Sequence, residues 1–96
     1  MILAIDIGNT NIVIGCTRKE KIHFVERVST DTSKTELEYL VTFKPLFDLY
    51  HINVGDITGC IISSVVPPIN NIIKASMEKL LHTKHIIVET GVKTGL

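Results

Sequence analysis

Asp6-Ile7-Gly8-Asn9-Thr10-Asn11 is the stretch on which the reading of this 96-residue chain turns. An apolar run, residues 1–5, leads into it, and a second, residues 12–16, leads out. An acid therefore stands where a first strand stops, and the small polar residues after it form a tight loop. Gly8 permits a sharp turn and the close approach of a ligand. Asn9, Thr10 and Asn11 supply short side chains with donors and acceptors. Backbone N–H groups in such a loop suit phosphate oxygens. The Asp6 carboxylate would accept a phosphate nearby only across a Mg²⁺ ion, held directly or through water. The same residues also read as a plain hairpin turn, because Gly-Asn between two strand-like runs is a turn signal in its own right.

Outward from this loop the pattern predicts alternating elements. The uniform run at residues 1–5 suits a central strand buried on both faces. Residues 11–17 form a second strand with Ile12, Ile14 and Cys16 on one face. Gly15 falls on the other face, where a strand glycine calls for something packed close. Arg18-Lys19-Glu20-Lys21 is a charged turn. Residues 22–29 form a third strand, with Ile22, Phe24 and Val28 sharing a parity with Glu26, and His23, Val25 and Arg27 sharing the other. That mixture fits a strand near a sheet edge, and His23 reads as a surface histidine rather than a ligand.

After a polar loop, residues 30–35, a helix is predicted. Ser33 with Glu36, or Thr35 with Glu38, makes a capping box. Leu37, Leu40, Val41 and Phe47 fall near one face. Pro45 removes the bond to the Val41 carbonyl and predicts a kink or break just before it. Residues 51–58 read as loop and Gly59–Ser64 as a fourth strand. Pro67-Pro68 ends strand pairing and opens a second helix, on which Ile69, Ile72, Ile73, Met77, Leu80 and Leu81 keep helical spacing. Lys79, His82 and Lys84 favour the negative end of that helix. Residues 85–89 form a fifth strand, and Gly91 onward is loop. Tight turns make the first three strands antiparallel, and helical crossovers make the others parallel.

The bulk numbers allow one small domain. Hydrophobic residues make up 45%, and ten basic residues balance ten acidic ones. No basic run exists that an acid does not interrupt, which argues against a nucleic-acid surface. Tryptophan is absent, which removes the best stacking platform for single strands. No signal-peptide pattern opens the chain, and no apolar run approaches the ~20 residues that span a bilayer. The expected compartment is the cytoplasm. Cys16 and Cys60 have neither metal-ligand spacing nor disulfide density and read as small buried hydrophobes.

Four stretches, in order, resemble the type III pantothenate kinases. They are DIGNTNIVIG from Asp6, Arg27-Val28-Ser29-Thr30-Asp31, Ile62-Ser63-Ser64-Val65-Val66-Pro67, and Gly91-Val92-Lys93-Thr94-Gly95-Leu96. The first is similar to a phosphate loop found throughout a wider superfamily of acetate and sugar kinases, heat-shock ATPases and actin. The third and fourth are more particular. The resemblance runs from end to end of this chain, yet it covers only a minor N-terminal part of such a kinase. It implies an α/β fold, a ribonuclease H-like half-domain in the order βββαβαβ, with a mixed five-stranded sheet in spatial order 3-2-1-4-5. It also implies that residues 1–96 are one N-terminal, actin-like ATPase domain, incomplete relative to the family.

Roles follow from the resemblance residue by residue. Asp6 would organise Mg²⁺ near the β- and γ-phosphates of ATP. Ile7, Gly8, Asn9, Thr10, Asn11, Ile12 and Val13 would line the phosphate loop. The family phosphorylates pantothenate on the way to coenzyme A, forms homodimers and uses a monovalent cation, K⁺ or NH₄⁺. The catalytic base, the pantothenate contacts and the adenosine side of the site fall beyond Leu96, so the chain alone is expected to be inactive. Arg27 reads as a salt-bridged strand arginine, Ser63 and Ser64 as strand-end hydrogen-bonding residues in preference to residues facing the cleft, and Lys93 as a solvated loop lysine. Two other classes stand beside the kinase: a non-catalytic accessory domain of the same family, and a ribonuclease H-like metal-dependent nuclease. A nuclease needs several carboxylates converging on metal. Glu36 and Glu38 could serve from the helix, but the fourth strand ends in serines, which are poor substitutes for a carboxylate.

Overall fold

Each apolar run becomes a strand, and the tight loop becomes the hinge of the first hairpin. The strands are β1 (Ile2–Ile7), β2 (Asn11–Arg18), β3 (Lys21–Ser29), β4 (Gly59–Ser64) and β5 (Ile86–Thr90). Helix α1 (Glu36–Leu49) links β3 to β4, and α2 (Asn70–Leu80) links β4 to β5. Short 3₁₀ turns at Val54–Asp56 and Pro67–Ile69 precede β4 and α2. The computed structural model describes residues 1–91. Of the GVKTGL stretch only Gly91 is described, its N–H donating to the Ser64 carbonyl at 2.9 Å; the expectations on Lys93 and the rest of residues 92–96 lie outside the described residues.

The sheet order is β3-β2-β1-β4-β5. β1 pairs antiparallel with β2 and parallel with β4, β2 pairs antiparallel with β3, and β4 pairs parallel with β5. This is the mixed α/β plan of a ribonuclease H-like half-domain, as expected. Side chains alternate across a sheet, so Leu3, Ile5 and Ile7 of β1 point one way. They join Ile12, Ile14 and Cys16 of β2, Cys60 and Ile62 of β4, Tyr39, Phe43 and Phe47 of α1, and Ile73, Met77 and Leu80 of α2 in one core. Both helices therefore cover the same face. Ile2, Val25 and Ile87 lie on the other face and are exposed.

Several expectations are corrected. β1 runs past the apolar stretch to Ile7, so Asp6 lies inside the strand rather than at its end. The buried stripe of α1 is Tyr39, Phe43 and Phe47, whereas Leu37 and Val41 are 64% and 60% exposed. Aromatic rings spaced four apart bury more surface than the aliphatic set chosen from periodicity. The same stripe explains why α1 runs unbroken through Pro45. A mid-helix proline costs about 3 kcal/mol, while each fully buried large side chain contributes about 1.5–3 kcal/mol, so three outweigh one proline. Pro45 and Val41 both face outward, where water can reach the Val41 carbonyl.

Of the two capping boxes the helix uses Thr35 with Glu38. Ser33 is taken by Asp31, to which its N–H and hydroxyl both donate, at 2.8 and 2.6 Å. In β3 the register slips opposite Cys16/Thr17, with Phe24 paired to Cys16 and Ile22 to Thr17. His23 is the extra residue of this bulge, so Ile22 leaves the parity of Phe24 and lies exposed on the outer face. Cys16 and Cys60 are free and buried, as expected. Both pair with Leu3 from opposite sides, which separates them by about 9–10 Å, two strand spacings.

Candidate functional site

The site is built on the last turn of backbone in β1. Asp6 lies in register between Val13 of β2 and Ser63 of β4. Arg27 follows beyond Val13, and Glu89 beyond Ser63. By alternation this row shares the sheet face opposite the helices. Asp6 is half-buried.

The loop above it is held from several sides. The Gly8 N–H donates to the Asn11 carbonyl at 2.9 Å. A Cβ added to Gly8 would stand 3.0 Å from that same oxygen. Glycine is thus required by a close backbone approach; its φ is not in the left-handed region. Thr30, just past β3, clamps the loop twice. Its hydroxyl donates to the Gly8 carbonyl at 2.7 Å and its N–H to the Thr10 carbonyl at 2.9 Å. Thr30 is in turn located by its neighbour. The Asp31 N–H donates to the Tyr39 hydroxyl at 2.9 Å, and that hydroxyl donates to the Asp31 carbonyl at 2.6 Å. Tyr39 is fully buried. The two bonds from Ser33 hold the Asp31 carboxyl below its usual range.

The predicted loop residues are brought together, but they differ in what they can offer. Asn9 and Thr10 are exposed at the tip, and Asn11 and Val13 are half-buried. Ile7 and Ile12 point into the core, so any contact they make with a ligand runs through the backbone. The Gly8 N–H is already spent on Asn11. The two serines at the end of β4 divide. The Ser64 hydroxyl accepts from the Val66 N–H at 3.0 Å, the strand-end role expected for both. Ser63 does not take part.

Arg27 is exposed and makes no ion pair among the described residues, contrary to expectation. Glu36 pairs with Lys79 at 3.0 Å, and Glu38 closes the capping box. Neither is directed to Asp6, and no cluster of three metal-ligating His, Cys, Asp or Glu occurs among the described residues. The carboxylate convergence that a nuclease needs is not assembled there.

Over residues 2–96 the sequence matches the family described as Type III pantothenate kinase. The chain belongs to the type III pantothenate kinase family. Type III pantothenate kinases from Brevibacillus brevis, Halalkalibacterium halodurans and Geobacillus thermodenitrificans are 45%, 43% and 43% identical to it over 96 residues. All of this chain is covered in each match, but only 38%, 38% and 37% of those relatives. For this member of the type III pantothenate kinase family, sequence reasoning overlooked Thr30. The position of Thr30 follows from the β2–β3 pairing, which sets Asn11 opposite Ser29 and so residue 30 beside residue 10.

Proposed function

We propose that this chain is the ATP-phosphate-binding N-terminal part of a type III pantothenate kinase, which phosphorylates pantothenate in the first step toward coenzyme A. The observation that carries the reading is Asp6 set beneath a glycine loop that Thr30 fastens at two points. Thr10 and Asn9 at the exposed tip receive the phosphates, with the backbone of residues 7–13 as the frame. Asp6 is half-buried, and a carboxylate oxygen suits a hard divalent cation such as Mg²⁺. Asp6 would hold that ion, and the chemistry supplied would be neutralisation of phosphate charge. The clamp keeps the loop from rearranging when the nucleotide enters.

In this reading residues 1–96 are one ribonuclease H-like domain, incomplete relative to the family. The catalytic base, the pantothenate and adenosine contacts and the K⁺ or NH₄⁺ site belong to the remainder of the enzyme, which acts as a homodimer in the cytoplasm. The even charge balance suits a small-molecule enzyme rather than a nucleic-acid binder, and no described helix is long and apolar enough to cross a membrane.

The test is Asp6→Asn in the full-length enzyme. The substitution keeps the shape and removes the charge. Single-turnover phosphorylation should fall by at least about 100-fold, as when one electrostatic contact to the transition state is lost, with melting temperature unchanged. Near-normal turnover would refute the assignment. The 96-residue chain alone should form no phosphopantothenate.

A further inference from the structure

The buried row of α1, Tyr39, Phe43 and Phe47, leaves the other side of the helix to solvent. That side is not uniformly polar. Leu37, Val41 and Leu49 are 64%, 60% and 64% exposed, and Pro45 between them is exposed too. The four residues fall at i, i+4, i+8 and i+12, one continuous row along the helix. Neither the core nor the phosphate site uses it. Exposed apolar side chains placed singly need no explanation, but a contiguous row of them marks an interaction surface.

The charges beside the row decide what fits it. Glu38 stands three residues before Val41 and Lys44 three after, so they flank the row on opposite sides. Both are exposed. Lys44 pairs with Asp48 on its own helix at 3.8 Å, an exposed contact that contributes little. One Glu38 oxygen accepts from the Thr35 N–H at 3.0 Å, and a carboxylate has a second. Rows at this spacing are inclined about 26° to the helix axis, so two copies that align them cross at about 50°. With both helices running in the same sense, each row residue meets its own copy across a two-fold axis. Glu38 of each copy then comes beside Lys44 of the other. With the helices running in opposite senses, Glu38 would meet Glu38 and Lys44 would meet Lys44. The charge pattern therefore matches a second copy of this chain, in one sense only. The flanks of a single crossing stay wet, so water still reaches the Val41 carbonyl.

We propose that the α1 row of Leu37, Val41, Pro45 and Leu49 is a contact surface between two copies of this chain, an isologous pair in which Glu38 and Lys44 bond across the two-fold axis. The proposal goes beyond the kinase reading and does not rest on it. The row belongs to the helix layer, on the side of the sheet away from Asp6. One helix face is smaller than a standard interface, so the association is weak.

The experiment uses the full-length enzyme at roughly 100 µM, a concentration suited to a weak association. Leu37→Cys, Val41→Cys and Asp48→Cys are oxidised mildly, and disulfide-linked dimers are followed on non-reducing gels, with rates read above the parent's. Every position is exposed, so the fold survives each change. Residues facing each other at a helix crossing bring their Cα atoms within the roughly 7 Å that a disulfide needs. Asp48 is exposed but lies off the axis. Leu37→Cys and Val41→Cys should link about tenfold faster than Asp48→Cys, because docked thiols share an effective concentration on the order of 1 mM. Lys44→Glu added to Val41→Cys should slow linkage about fivefold, since it sets acid against acid twice over. Linkage at only one of the two row positions breaks the same-sense crossing and overturns the proposal. Equal rates at all three positions mark chance collision and also overturn it, as does a Lys44→Glu rate that is unchanged or higher. Absence of linkage at both row positions overturns it too, whatever the oligomeric state, and leaves the kinase reading standing.

Discussion

Tyr39→Phe isolates the support beneath the loop. The ring stays, with its stack on Phe43 at 5.8 Å between centroids; only the hydroxyl goes. That hydroxyl makes two bonds to the backbone of Asp31, one as donor and one as acceptor. A hydrogen bond contributes a net ~1 kcal/mol, so losing two costs about 2 kcal/mol. For a domain of this size that corresponds to a fall in melting temperature of about 8–16 °C. Because the Asp31 groups are only part-buried, water recovers some of the loss and the lower half of that range is expected. The denaturant slope should not change, since the exposed surface on unfolding is the same. Circular dichroism melts and urea titrations give both quantities. Amide exchange at Asn9 and Thr10 should also quicken, because Asp31 locates Thr30 and Thr30 clamps the loop. A melting temperature within about 2 °C of the parent would refute the chain of support from helix to loop.

Two further outcomes are expected. In the β2–β3 turn Lys19 and Glu20 both adopt left-handed backbone, with φ of 50° and 65°. Asn-Gly is the natural occupant of such a turn, so Lys19→Asn with Glu20→Gly should stabilise the chain by about 1 kcal/mol, after allowing for glycine's entropy; an unchanged or lowered urea midpoint counts against it. Burial pushes the Cys60 thiol up to about 12. Between the ordinary value of 9.0 and that figure the unfolded chain ionises while the fold keeps the thiol protonated. Stability should thus be intact below pH 9 and fall as pH rises toward 12. Cys60 should resist alkylation in native protein at pH 8 and react once urea unfolds it. Native reaction at the unfolded rate would contradict the burial.

The order of elements was legible because the signals were strong and local. Continuous apolar runs, a Pro-Pro pair and a glycine-centred loop each admit few alternatives. Where several local signals competed, tertiary contact decided. Periodicity could not choose between Leu37 with Val41 and Tyr39 with Phe43 on α1. It could not see that the aromatic stripe would carry the helix past Pro45. The slip at His23 is set by the pairing of β3 with β2, which no property of residues 22–29 announces. In the candidate site, Asp6 and the loop were visible as a motif. The Thr30 clamp depends on the register of β3 against β2, and the placing of Ser63 and Ser64 on the pairing of β1 with β4, strands far apart in sequence.

That separation orders the assembly in time. β2 returns to β1 across residues 8–10, whereas β4 reaches it only after residues 8–58. Hairpins close in about 1–10 μs, and pairings across long segments are slower because chain entropy is lost before contacts compensate. Asp6 acquires Val13 with the first hairpin and Ser63 only with the parallel ladder. A half-assembled sheet can therefore display the glycine loop without the complete row. Any ligand that needs both sides of β1 binds the finished fold alone, and at a hundred times its dissociation constant it would stabilise that fold by about 2.7 kcal/mol.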